Sequence, residues 1–185
     1  MNNIRSSYKN KDINYGDLIE TITYSVNPKN IVEIGILDGY SLHKFLKGSN
    51  KDTIIKAYDI FDNFNGNHSN ENELKEYFKS YKNVEISYGD FYKLNDTILD
   101  NSIDIIHIDI ANNGDTYEYA INHYLSKLSF NGIMILEGGS EQRDGVEWMV
   151  KYNKPNIYPI LHKYSEVYNI KTIGTLPSIT LIKNI

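Results

Sequence analysis

The sequence predicts an α/β fold: a doubly wound, mainly parallel seven-stranded sheet with an antiparallel C-terminal strand pair. Three observations carry that prediction. Five short apolar runs, near 31–37, 54–60, 84–88, 103–108 and 133–136, recur along the chain. The segments between them repeat apolar residues at helical spacing, and strands alternating with helices build parallel sheets covered on both faces. The last stretch breaks this alternation, because strand-like runs at 156–165 and 179–182 follow with no convincing helix between them.

Residues 1–12 are polar and read as a flexible N-terminal arm, either a loose terminus or a substrate arm, leaving 13–185 as a single domain. Leu18, Ile22 and Val26 then mark a helix that Asn27-Pro28 stops. The run 31–37 is apolar apart from Glu33 and Gly35, as suits a strand buried on both faces. Asp38-Gly39 turns the chain, and Ser41 can cap a helix carrying Leu42, Phe45 and Leu46. After the second strand comes a Gly/Asn-rich loop, 62–70, whose His68 reads first as a solvated loop residue. Asn70 and Glu73 form a capping box for a helix with Leu74, Tyr77, Phe78 and Tyr81 on its apolar face.

Asp115 and Glu118 resemble a second capping box beyond the fourth strand. The helix they open places Tyr117, Ala120, Ile121, Tyr124, Leu125 and Leu128 on one stripe and runs until Asn131-Gly132. Val146, Met149 and Val150 suggest one more helix near 142–152. Gly138-Gly139-Ser140 reads as a loop or a flexible lid, and Trp148 as a core or interface residue. Pro159 marks the run 156–165 as an edge strand, because it has no N–H to give a ladder.

Length and composition bound the function. A chain of 185 residues suits one domain with a sizeable core. No window approaches the ~18 consecutive apolar residues of a membrane span and no secretory signal opens the chain, so a cytoplasmic protein is expected. With no Cys, disulfides, thiolate metal sites and Cys nucleophiles are excluded together. A net charge of −5 without a basic block argues against nucleic acid as a partner. The 17 Lys against 2 Arg, with 27 Ile, 23 Asn and 16 Tyr, share A/T-rich codons, and the skew reads as genome composition.

The strand ends carry the chemistry, since right-handed crossovers bring them to one rim. The first strand ends in E-x-G-x-x-x-G, Glu33 to Gly39, where glycines let the backbone turn sharply and a ligand lie against it. The second ends at Asp59, 20 residues past Gly39, where a carboxylate can accept both ribose hydroxyl hydrogens. The third ends at Gly89-Asp90-Phe91, an acceptor for an exocyclic amine beside a ring for a base. The fourth ends at Asp109. Acidic groups without Lys or Arg among them suit a cationic ligand and not a pyrophosphate. A dinucleotide site would prefer G-x-G-x-x-G, so S-adenosylmethionine is favoured over NAD.

The segment from Val32 through Gly39-Tyr40-Ser41 resembles the first motif of class I S-adenosylmethionine-dependent methyltransferases. Its ending is similar to small catechol-type and macrocin-type O-methyltransferases, as are the stretch from Ile103 to Asp109, Tyr117-Glu118, and the stretch from Leu128 to Ile135. The resemblance covers roughly 11–183 and implies a Rossmann-like fold. It implies that Gly35 and Gly39 lie under the cofactor and that Glu33 orders the loop or receives the amino group. Ser41 would hold the carboxylate, Asp59 the ribose hydroxyls, and Ile60 would rest against adenine. Asp90 and Phe91 would meet the adenine edge and face, and Asp109 the methionine end and the acceptor.

Asp109 and Glu137 are the candidate catalytic residues and also the candidate ligands for a divalent metal such as Mg²⁺. The metal is disfavoured, because Gly138 offers no third ligand and Asn112-Asn113 stand where relatives often carry a His; Glu141 and Asp144 are the substitutes at hand. His107 alternates with Asp109 and reads as a buried, hydrogen-bonded strand residue. The expected activity is methyl transfer to a small-molecule acceptor at oxygen, with no membrane partner and a homo-oligomer left open. The alternatives are a methyltransferase-like non-catalytic binding module and an NAD-dependent oxidoreductase.

Overall fold

The computed structural model describes residues 4–61 and 69–184. Its strands are β1 (Asn30–Ile34), β2 (Ile54–Asp59), β3 (Val84–Tyr88), β4 (Ile103–Ile108), β5 (Leu128–Glu137), β6 (Asn169–Gly174) and β7 (Ser178–Lys183). They form one seven-stranded sheet in the order β3-β2-β1-β4-β5-β7-β6. The strands β1 to β5 are parallel, and β7 runs antiparallel to β5 and β6. This is the predicted doubly wound architecture. Strand order reverses between β1 and β4, so their C-terminal ends flank the crevice where such sheets take ligands.

Period-two alternation divides the core between the two faces of the sheet. Ile31, Ile55, Ala57 and Ile105 pack beneath α1 (Gly16–Val26), α2 (Tyr40–Gly48) and α3 (Glu71–Phe78). Val32, Ile34, Ile106 and Ile108 pack beneath α4 (Phe91–Leu94), α5 (Gly114–Tyr124) and α8 (Tyr158–Tyr164). Leu42 and Phe45 of α2 are wholly buried, and burial of such side chains contributes about 1.5–3 kcal/mol each. Glu33 and His107 are register partners on β1 and β4. Both turn toward the α1–α2 face, where His107 meets the rings of Tyr8 and Phe45.

Several local expectations are corrected. The run 156–165 is not a strand: Tyr158–Tyr164 is helix α8 with Pro159 in its first turn, where a missing N–H leaves no intrahelical bond unmade. The partner of β7 is Asn169–Gly174 instead. The region 142–152 holds two short helices, α6 (Glu141–Asp144) and α7 (Glu147–Lys151), separated at Gly145-Val146. Helix α5 is capped by Asn113, whose side chain accepts from the Asp115 N–H. It ends at Tyr124, so Leu128 and Asn131-Gly132 already lie in β5. The Asn70 cap on α3 holds, although Tyr77 and Tyr81 are exposed and only Leu74 and Phe78 are core. Ser41 is not a cap, because Gly39 precedes α2 and Ser41 points inward.

The described part of the arm, 4–12, packs onto the domain through Tyr8 and Lys9. Tyr8 is 1% exposed within the α1–α2 core cluster. Lys9 bridges Asn14, and the Tyr15 N–H donates to the Tyr8 carbonyl at 2.9 Å. A single aromatic anchor outweighs the polar composition around it.

Candidate functional site

The residues at the rim are held by one another. The carboxylate of Glu33, wholly buried at the end of β1, accepts from the Ser41 hydroxyl, and its Oε1 lies 3.2 Å from His107 Nδ1. The other imidazole nitrogen, Nε2, is 2.6 Å from the Tyr8 hydroxyl. A buried polar chain thus runs from α2 through β1 and β4 to the N-terminal arm. His107 is the buried, hydrogen-bonded strand residue expected. Glu33 Oε2 is buried without a hydrogen-bond partner among the described residues.

The loop after β1 closes tightly on its neighbours. Gly35 has φ +91°, and a Cβ there would lie 2.0 Å from the Asp109 carbonyl oxygen. Glycine is therefore required by the close passage of the β1 and β4 ends, whatever else it does. At Gly39, with φ +78°, a Cβ would meet the Phe78 ring at 2.7 Å. Asp59 accepts from the N–H groups of Ile36 at 2.8 Å and Phe61 at 3.0 Å, so its carboxylate sets the loop's path. Ile60, half-buried, follows it. Asp90 caps α4 by accepting from the Tyr92 N–H at 3.0 Å. Phe91 is buried and stacked on Tyr124, their ring centroids 5.2 Å apart. His68 lies outside the described residues.

At the acceptor end, Asp109 Oδ2 accepts from the Ser7 hydroxyl at 2.5 Å. Desolvation, then the charge of Glu137, pushes the Asp109 carboxyl up to about 7, against the opposing pull of His107 and Ser7. Glu137 is buried and bidentate to Arg143, with Nε to Oε1 and Nη2 to Oε2 both 2.8 Å. Asn112 bridges the strand ends by donating to the carbonyls of Ile108 at 3.1 Å and Glu137 at 2.9 Å. Gly138 and Gly139 form a packed turn against β7, since the Thr180 hydroxyl donates to the Gly138 carbonyl at 2.8 Å. Trp148 is half-buried with the Arg143 guanidinium 5.3 Å above its ring.

This donor set does not fit a divalent metal. The Glu137 carboxylate is already taken by a guanidinium, which repels a cation. Asp144 is committed to the N–H groups of Ile157 at 2.7 Å and Tyr158 at 2.9 Å, and Glu141 is exposed. Among the described residues, no three His, Asp or Glu side chains group as a metal site would need. Of the candidate pair, Glu137 is ion-paired with Arg143 and Asp109 accepts from Ser7.

Sequence reasoning missed Arg5, Ser7, Tyr8 and Arg143. Arg5 binds Asp38 from its backbone N–H at 3.0 Å and from Nε at 2.8 Å. Both arginines of the chain therefore stand at this rim, each forked onto a carboxylate. The sequence carried a signal for them: where Lys outnumbers Arg so heavily, an Arg marks a place that needs planar bidentate geometry.

With this geometry in place, comparison with known proteins assigns the family. Residues 32–137, more than half of the chain, match the family described as "Methyltransferase domain". The chain belongs to this methyltransferase family. Its matched segment runs from β1 to the end of β5 and includes the rim residues from Glu33 to Glu137. No curated protein sequence matches the chain.

Solved structures share the fold of this methyltransferase domain at low identity. The O-methyltransferase of Bacillus cereus, in complex with SAH, has 14% identity and a TM-score of 0.70, over 99% of this chain and 86% of that one. TomG of Streptomyces achromogenes, an O-methyltransferase in complex with SAM, has 15% identity and a TM-score of 0.69, over 91% and 78%. A putative caffeoyl-CoA O-methyltransferase from Staphylococcus aureus has 18% identity and a TM-score of 0.64, over 91% and 82%.

Proposed function

We propose that this methyltransferase uses S-adenosylmethionine to methylate a small acceptor at a hydroxyl oxygen, without a divalent metal. The observation that carries the reading is the family match across β1 to β5, the segment that builds the switch-point rim. The structural relatives in complex with SAM or SAH support it. So does the orphaned Glu33 Oε2, an acceptor of the kind a ligand ammonium would satisfy beside the Gly35 loop.

In this reading Glu33, Gly35, Gly39, Ser41, Asp59, Ile60, Asp90 and Phe91 build the cofactor cradle, most of them by shaping its loops. When bound, the cofactor supplies an electrophilic methyl group on a sulfonium sulfur. Aligning the acceptor oxygen with that methyl group would fall to the fixed loops of the rim, so positioning would carry much of the barrier. Asp109 takes the acceptor's proton, and its carboxyl, pushed up to about 7, is suited to a base working near neutrality. Glu137 acts through Arg143, holding the end of β5 beside Asp109.

The proposed acceptors are small molecules. Nucleic acid is not among them, given a net charge of −5. Among the described residues no helix is long and apolar enough to cross a membrane, and the cysteine-free composition suits the cytoplasm proposed as its location.

Calorimetry against S-adenosylmethionine and NAD tests the cofactor: binding of the first and not the second is expected, and binding of neither overturns the reading. Turnover on a panel of small hydroxylated acceptors, with Mg²⁺ and with EDTA, tests the chemistry. Equal rates in both are expected. Cofactor binding without turnover on any acceptor would favour a non-catalytic module.

A further inference from the structure

A concavity lies between the N-terminal arm and α2. It has a volume of about 320 Å³, and Lys9, Asn14, Tyr40, His43, Lys44 and Lys47 are among its lining residues. Tyr40, His43, Lys44 and Lys47 stand at i, i+3, i+4 and i+7 and so share one face of the helix. Among the described residues, no carboxylate lines this pocket, in a chain that is acidic overall.

The polar groups there are donors with spare capacity. Lys44 is paired with Asp17 at 2.6 Å and Glu20 at 3.0 Å, which offsets its charge. Lys9 lies 4.8 Å over the Tyr40 ring. Neither Lys9 nor Lys47 forms an ion pair among the described residues, and Asp17 feels Lys47 only at longer range. Asn14 Oδ1 accepts twice, from the Tyr40 hydroxyl at 2.5 Å and from the Gly16 N–H at 2.9 Å. Its amide hydrogens are left to point elsewhere. Burial, then the charges of Lys47 and Lys44, lowers the His43 pKa against the opposing pull of Glu20.

We infer that this pocket is an oxyanion-binding site, taking a phosphate or carboxylate group between Lys9 of the arm and Lys47 of α2. An anion there neutralises Lys9 and Lys47, favours the protonated form of His43 and gains charge-assisted hydrogen bonds. The volume exceeds that of the anionic group alone and admits a small organic anion. The inferred site goes beyond the proposed methyl transfer.

The test is an NMR titration of the full chain, following the His43 ring resonance assigned through His43→Gln. Inorganic phosphate and malonate are added separately, with sodium chloride at equal ionic strength as control. A saturable displacement is expected together with a rise of the His43 pKa. Saturation by phosphate alone identifies a phosphate site, by malonate alone a carboxylate site, and by both a general oxyanion site. The Lys9→Gln/Lys47→Gln double variant should bind about tenfold more weakly or worse, the loss of charged hydrogen bonds. Its dispersed methyl spectrum checks that it is folded. The inference fails if chloride displaces the resonance as much as either anion does, or if the folded double variant responds like the parent. Titration with S-adenosylhomocysteine reads the cofactor site separately, so failure there leaves this pocket standing.

Discussion

Arg143 satisfies both Glu137 oxygens with two 2.8 Å contacts in a buried setting. Removing one partner leaves the other charge stranded, so Arg143→Ala should destabilise the fold by about 3–5 kcal/mol in urea or guanidinium unfolding. Adding Glu137→Gln should recover part of that loss. Asp109 makes an opposite prediction. Its folded carboxyl sits at about 7, above the ordinary carboxylate range, so the native state holds a proton that the unfolded chain has released. The native advantage is complete below about 4 and shrinks as pH climbs to about 7, above which the slope vanishes. Stability of the parent should therefore fall across that window relative to Asp109→Asn, as parallel denaturant titrations would read. If Asp109 is the base, the parent's turnover should rise through pH 7, and the variant should lose both the activity and that limb of the profile.

At the scale of the element, the arm is the piece whose behaviour depends on one side chain. Tyr8 is 1% exposed and bonded to a buried imidazole. Tyr8→Phe should cost about 0.5–1.5 kcal/mol, the net worth of a hydrogen bond, and Tyr8→Ala about 3–5 kcal/mol through the cavity it leaves. Faster proteolysis near the N-terminus in Tyr8→Ala alone would show that the ring is the anchor. The burial of Tyr8 was not legible for a physical reason: a short polar segment with one Tyr has no periodicity to betray that the ring is buried. The run 156–165 failed differently, because Pro159 is equally at home on a strand edge and in a helix's first turn, and local sequence does not choose. The elements with long apolar patterns were legible: β4 and α5 lie where Ile103 to Ile108 and Tyr117 to Tyr124 put them. The β1 loop was legible in position, since Glu33, Gly35 and Asp59 do meet there. The local bonds of Glu33 and Asp59 to Ser41 and the Ile36 N–H were not, because they depend on which neighbour satisfies each buried carboxylate.

For the whole molecule, one seven-stranded sheet carries the core on both faces, so cofactor binding at the switch point must couple to global stability. A ligand that binds only the native state stabilises it by RT ln(1 + [L]/Kd), about 2.7 kcal/mol at a hundredfold excess over Kd. For a domain of this size each kcal/mol raises the melting temperature by about 2–4 °C, so S-adenosylmethionine at that excess should raise it by about 5–10 °C. NAD should produce no shift, since the loop after β1 lacks the G-x-G-x-x-G spacing that a pyrophosphate prefers. Mg²⁺ and EDTA should leave the melting curve unchanged, with or without cofactor, because Arg143 occupies the carboxylate that a metal would need. Phosphate forms a separate arm of the same experiment. A stabilisation by phosphate that persists beside the cofactor's, and disappears in Lys9→Gln/Lys47→Gln, requires two sites on one domain that fill without excluding each other. A cofactor shift abolished by Gly35→Ala, in a variant that still melts cooperatively, would locate the first site at the β1 loop, where the added methyl group meets the Asp109 carbonyl at 2.0 Å.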